Sequence, residues 1–185
     1  MPNEAAKLDQ AQLVQRFAAP VYDVYYPVDV WNEVLPGLHL GGTDTSDDMN
    51  SVHFGSSFGN AETLVNKDNF DTVVTLYAWA RPADWFVKEL RFGIMDSDMS
   101  DFNLDDLHAL VGTAHADWKS GRRVLIRCQA GINRSSLIMA LVLIRDGLSA
   151  KKAIELMRQQ RGQAVLSNPH FVDWLLQLDV RRWRS

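Results

Sequence analysis

GRRVLIRCQAGINRSSLIMALVLIRDG, residues 121–147, constrains this 185-residue chain more than any other stretch. RRVLIRC (122–128) is a short apolar run of the kind that lies buried in a parallel sheet. SSLIMALVLIRDG (135–147) is apolar on nearly every side, which places a helix inside a domain, and Gly147 ends it. A buried strand, a brief loop and a buried helix in succession require a layered α/β architecture.

The rest of the chain agrees with that architecture. LHLGG (38–42), FDTVVTLYA (70–78) and LRFGIMD (90–96) read as further strands. Leu104, Leu107, Leu110, Val111, Ala114 and Trp118 follow helical spacing over 103–119, and Gly121 closes that helix. Ser149 opens another through KKAIELMRQQRG, and SNPHFVDWLLQLDVRRW reads as a third helical segment. Upstream, Leu8, Leu13, Val14 and Phe17 describe a short amphipathic helix that Pro20 stops. VYDVYYPVDVWNEVLPG reads as extended chain packed on a domain surface, and the polar segment 43–62 as a loop whose acidic residues lack EF-hand spacing. His108 and His115 have no third ligand and are expected at the surface. The expected fold is one domain over 34–180, a central, mostly parallel sheet flanked by helices, with residues 1–33 as an N-terminal extension.

Composition narrows the function. A hydrophobic fraction of 46% supports a real core, and a net charge of −4 argues against broad binding to nucleic acid or an anionic membrane. No apolar stretch approaches the roughly 20 residues of a membrane span. The N-terminus lacks the basic start and apolar run of a signal peptide. The single cysteine, Cys128, cannot form an internal disulfide and suits a reducing compartment, so a cytoplasmic protein is expected.

Cys128 sits where the strand gives way to the loop. A strand feeding a tight loop and then a helix makes an anion site, because the first N–H groups of the helix lack intrahelical partners and the helix dipole is positive there. Gln129, Ala130, Gly131, Ile132 and Asn133 fill the loop, and none is acidic. Gly131 lets the amides turn inward, and Arg134 offers a bidentate grip on a tetrahedral oxyanion. The same donors favour a thiolate, the reactive form of cysteine. Cys128 is therefore placed to attack phosphorus, with Ser135 beside Arg134 to hydrogen-bond the departing sulfur. C-x5-R alone is a weak signal. With a buried strand before it, Gly131 within it, Ser135 after it and an apolar helix behind, it is specific.

These residues resemble the dual-specificity phosphatases, a branch of the cysteine-dependent tyrosine phosphatase superfamily. The resemblance covers most of 34–178: VLPGLHLGG, DTVVTLY, GRRVLIRCQAGINRSSLIMALVLI, and SAKKAIELMRQQRG with LSNPHFVDWLLQL, which includes the family's N-x-x-F. It implies hydrolysis of phosphomonoesters through a cysteinyl phosphate, without metal or cofactor, on phosphorylated protein or peptide substrates. It also implies a general acid on a loop preceding the cysteine. GIMDSDMSDFNL offers Asp96, Asp98 and Asp101; Asp98 has the family's Asn-Leu, Asn103-Leu104, at the family's offset, and Asp96 is the alternative. The family usually has histidine before the cysteine, whereas this chain has Arg127, which strand alternation turns away from Cys128 and whose charge persists at every pH. The neutral loop residues favour a singly phosphorylated group, and a shallow pocket for phosphotyrosine and phosphoserine/threonine follows from the resemblance. Gln129 is placed to orient water in the second step.

Other classes predict differently. A pseudophosphatase would bind phosphate without turnover. Asn133-Arg134 is similar to the RNA 5′-triphosphatase branch, but Ser135-Ser136 departs from that group's Thr-Gly, and the acidic composition weighs against it. Sulfur transfer is disfavoured by the acid loop and helical tail, and arsenate reduction by the lack of resolving cysteines.

Overall fold

The computed structural model describes residues 27, 29–43, 65–100 and 102–184. The expected helix over 1–19, the tyrosines of 21–26 and nearly all of the 43–62 loop lie outside the described residues. Five strands form one sheet: β1 (Trp31–Leu35), β2 (Leu38–Gly41), β3 (Thr72–Thr75), β4 (Lys88–Arg91) and β5 (Val124–Arg127), in the order β1-β2-β5-β3-β4. β1 pairs with β2 antiparallel, and the other three pairings are parallel. The mostly parallel α/β expectation is met, and β5 occupies the centre.

Among the described residues there are five helices: α1 (Leu104–Lys119), α2 (Arg134–Arg145), α3 (Ala150–Arg161), α4 (Pro169–Gln177) and α5 (Val180–Trp183). Each begins for a local reason. Asn103 caps α1 by accepting the N–H groups of Asp105 and Asp106, Ser149 caps α3 and Asn168 caps α4. α2 is the exception, with no side-chain cap, so its first turn leaves N–H groups free for another acceptor.

Strand alternation divides the sheet into two environments. Leu38, Leu40, Val74, Val124, Ile126 and Cys128 join the apolar faces of the helices in the main core. Val73 and Leu125 face the other way, into a smaller cluster with Val65, Phe70 and Val87. α2 runs through the main core with every residue from Ser135 to Ile144 buried, which is why its sequence shows no polar face. Among the described residues no helix is long and apolar enough to cross a membrane.

Three expectations are corrected. The strand expected at 90–96 runs over Lys88–Arg91; Phe92 N–H makes a last bond to Thr75 O at 3.0 Å, and β3 offers no partner beyond that point. β1 begins at Trp31, where its register with β2 reaches Gly41. The final helical segment is two helices, since Asp179 accepts Arg181 N–H at 3.1 Å and starts a new one. His108 and His115 are half-buried: His115 Nε2 lies 3.1 Å from Asp146 Oδ1, and His108 Nε2 lies 2.9 Å from Arg182 O.

α5 is short, yet it carries Trp183, 1% exposed and packed edge-on against Trp174 at 5.9 Å. Trp183→Ala is expected to lower stability by about 3–5 kcal/mol, read from urea unfolding. A loss below about 1 kcal/mol would show that α5 only rests on the core.

Candidate active site

β5 ends at the centre of the sheet and delivers Cys128 into the main core, 2% exposed. Gly131 N–H points back at Cys128 Sγ from 3.3 Å, and Ser135 Oγ lies 3.3 Å from the same sulfur. Loop and first helical turn thus converge on one atom, as expected for an anion site. Ile132 is buried within the loop, while Gln129 and Ala130 are exposed at its rim.

Two features force the loop to turn this tightly. Gly131 has φ +68°, a left-handed conformation that side chains resist. A Cβ there would also sit 2.5 Å from both Arg161 Nη2 and Gly41 C. Gly42 is as constrained, since its Cβ would meet Gln129 O at 2.7 Å. The glycines ending β2 therefore let the loop lie directly on the strand, and Thr43 N–H fixes it by donating to Gln129 O at 2.8 Å.

Arg161 holds the loop from behind. It is 6% exposed and donates from Nε to Gly131 O at 2.9 Å. Nη1 reaches Asn32 Oδ1 at 2.7 Å, and Nη2 reaches Val30 O at 3.3 Å. Burial lowers its pKa to about 10, so it stays charged at neutral pH. Sequence reading missed this residue and assigned Val30 and Asn32 to an appendage. A signal was present: Ala150, Ala153, Ile154, Met157, Arg158 and Arg161 share one helical face, so both arginines had to be buried.

The far side of the loop is held by the segment before α4. Leu166 N–H donates to Ile132 O at 2.8 Å, and Arg158 fixes that segment through the carbonyls of Val165 and Leu166, both at 3.0 Å. Asn133 Oδ1 accepts the N–H groups of Ser167 at 2.9 Å and Asn168 at 3.0 Å.

The two candidate acids lie in different settings. Asp96 Oδ2 accepts from Asn133 Nδ2 at 3.1 Å, and its Oδ1 from Asn168 Nδ2 at 2.8 Å. Asn168 also donates to Ser97 O at 2.8 Å, so one amide grips both the carboxylate and the backbone beside it. Asp98 is exposed and accepts from the Ser100 hydroxyl and, at 2.8 Å, from its N–H. These bonds, the hydroxyl's first, hold its carboxyl below the usual carboxylate range.

Arg134 starts α2 with its guanidinium over the Tyr77 ring, Cζ 5.6 Å from the centroid. Its Nε is buried with no hydrogen-bond partner, which a bound oxyanion would supply. Arg127 does point away from Cys128. It is fully buried on the opposite face, donates to Thr75 Oγ1 at 3.0 Å and lies 3.5 Å from Glu89 Oε1.

Gly131→Ala is expected to destabilise the fold by about 2 kcal/mol or more and abolish oxyanion binding. Arg161→Met, which strips buried carbonyls of their donor, is expected to cost about 2–4 kcal/mol. Urea unfolding and tungstate calorimetry read both; near-native stability in either variant would refute this account of the loop.

Comparison with known proteins identifies the family of the chain. The family model described as "Dual specificity phosphatase, catalytic domain" matches residues 56–181. Dual specificity protein phosphatase 1B of Arabidopsis thaliana is 28% identical over 146 residues, covering 75% of this chain and 84% of that protein. Dual specificity protein phosphatase 12 of Mus musculus is 35% identical over 152 residues, covering 79% of this chain but only 40% of its own length. Among solved structures, human DUSP28 superposes with a TM-score of 0.61 at 23% identity, covering 82% of this chain and 94% of that one, a likeness of fold. The chain belongs to the dual specificity phosphatase family, a group of cysteine-dependent protein phosphatases.

Proposed function

We propose that this protein removes phosphate from phosphotyrosine and phosphoserine/threonine of protein or peptide substrates through a cysteinyl-phosphate intermediate. One arrangement carries the reading. Cys128 Sγ receives Gly131 N–H and lies beside Ser135 Oγ, each at 3.3 Å, at the uncapped start of α2, and the same loop holds the buried, unpartnered Nε of Arg134.

In the first step the Cys128 thiolate attacks phosphorus, the bond to the substrate oxygen breaks, and Asp98 donates a proton to that oxygen. Amides of 129–133 and the Arg134 guanidinium hold the three non-bridging oxygens throughout. In the second step water attacks the cysteinyl phosphate, Asp98 takes its proton, and the sulfur leaves with the Ser135 hydroxyl as hydrogen-bond donor. Gln129, exposed at the rim, is the residue this reading assigns to orient that water.

The different settings of the two aspartates support Asp98 as the acid. Both Asp96 oxygens accept amide hydrogens, which ties the carboxylate and its loop to Asn133 and Asn168. Asp98 is tied only to Ser100 beside it, and substrate can displace those bonds. The catalytic unit in this reading begins with β1, because Val30 and Asn32 help hold Arg161.

Hydrolysis of an aryl phosphate across pH, in EDTA, tests the assignment. Cys128→Ser is expected to be inactive, and Asp98→Asn to lose about 100-fold in kcat together with the alkaline limb of the pH profile. Asp96→Asn should lower the rate and keep that limb. If Asp96→Asn removes the limb and Asp98→Asn retains it, the two roles are reversed. If the native protein binds tungstate without turnover, it binds phosphate and does not hydrolyse it.

Ser100 supplies a further check with a defined sign. Its hydroxyl lowers the pKa of Asp98, and the alkaline limb of kcat/KM marks deprotonation of the acid in free enzyme. Ser100→Ala should therefore move that limb to higher pH. A shift to lower pH would contradict Asp98 as the acid.

A further inference from the structure

Arg127 occupies the position before the cysteine where similar phosphatases usually carry histidine, and its side chain is fully buried on the sheet face opposite Cys128. A guanidinium in that setting must find partners for its charge and donors. Nε donates to Thr75 Oγ1 at 3.0 Å, and Nη2 donates to Arg81 O and lies 3.5 Å from Glu89 Oε1.

Glu89 is the hub of a larger arrangement. Its Oε1 also accepts from Thr75 Oγ1 at 2.7 Å and lies 3.1 Å from Arg91 Nε, while its Oε2 accepts Ala83 N–H at 3.2 Å. Arg91 in turn donates to Ala80 O, and to Ala78 O at 3.4 Å. Three charged side chains on two strands thus grip the backbone of one connecting segment at Ala78, Ala80, Arg81 and Ala83. That segment begins at Tyr77, whose ring lies beneath the Arg134 guanidinium at 5.6 Å.

We propose that Arg127, Glu89 and Arg91 form a positioning network that fixes the 77–83 segment and, through the Tyr77 ring, the orientation of Arg134. Arg127 does not serve as the charge partner of the Cys128 thiolate. The geometry separates these roles. Glu89 meets the charge of Arg127 on one face of β5, while on the other the sulfur accepts Gly131 N–H and lies 3.3 Å from Ser135 Oγ. The network therefore acts on the affinity for the phosphoryl oxygens and leaves the ionisation of the nucleophile unchanged. This inference rests on the reading of the 128–134 loop as a phosphate site.

Two measurements on the full chain separate the possibilities: the pH midpoint of Cys128 alkylation by iodoacetamide, and tungstate affinity by calorimetry. Glu89→Gln, Arg127→His and Arg91→Met are expected to keep the native alkylation midpoint and weaken tungstate binding about fivefold, the scale of losing one well-placed cation–π contact. Arg91 is exposed on β4, so Arg91→Met probes the network with least risk to folding if either buried substitution fails to fold. If Arg127 instead acted as a charge on the thiolate, Arg127→His would raise the midpoint, Glu89→Gln would lower it, and Arg91→Met would leave tungstate affinity unchanged. That pattern overturns the proposal. A native protein that binds tungstate, with variants that bind as tightly, overturns it as well and leaves the phosphate-site reading intact. A native protein that binds no tungstate overturns both.

Discussion

The hydrogen bond from Arg161 Nε to Gly131 O, at 2.9 Å, fastens the reactive loop to the rest of the molecule. It joins the last turn of α3 to a carbonyl that has no strand or helix partner of its own. The remaining donors of the same guanidinium reach Val30 and Asn32, so one buried side chain binds helix, loop and edge strand together. Burying it costs solvation, and its lowered pKa of about 10 records that cost. In return the loop is fixed before any ligand arrives, which an oxyanion site needs if its donors are not to reorganise on binding.

Around that bond the sheet separates two kinds of chemistry. Residues of β5 alternate between faces, so Cys128 and Arg127 are neighbours in sequence that look into different environments. The cysteine face is the apolar core, where Gly131 N–H donates to the sulfur and Ser135 Oγ lies beside it. The arginine face carries Thr75, Glu89 and Arg91 and holds the segment leading away from Tyr77. A charge beside the thiol in sequence therefore belongs to a different layer of the structure.

The acid loop shows a similar division. Asp96 and Asp98 are two residues apart, carry the same side chain and are both exposed, yet Asp96 is clamped by Asn133 and Asn168 while Asp98 accepts from its neighbour Ser100. Packing gives the two carboxylates different partners. Asn133 is central here. It belongs to the 128–134 loop, accepts the backbone N–H groups of the segment preceding α4 and donates to Asp96, so three segments distant in sequence meet at one amide.

Much of this was legible in the sequence. The apolar runs of 122–128 and 135–147 specify a central strand and a buried helix because burial on all sides excludes polar residues. Cys128, Gly131, Arg134 and Ser135 are brought together by local spacing, since all lie between the end of β5 and the first turn of α2. The caps at Asn103, Ser149 and Asn168 are likewise local signals. What lay beyond the sequence depends on contacts between distant segments. No local pattern says that Arg161 reaches back to Gly131, that Glu89 meets Arg127, or that Asp96 rather than Asp98 is held by two amides. The end of β4 at Arg91 is equally non-local, set by where β3 stops. Periodicity and turn chemistry act over a few residues and are written in the chain itself. The pairing of buried charges and amides is decided only when the layers close, because each group must then find whichever partner the packing brings within reach.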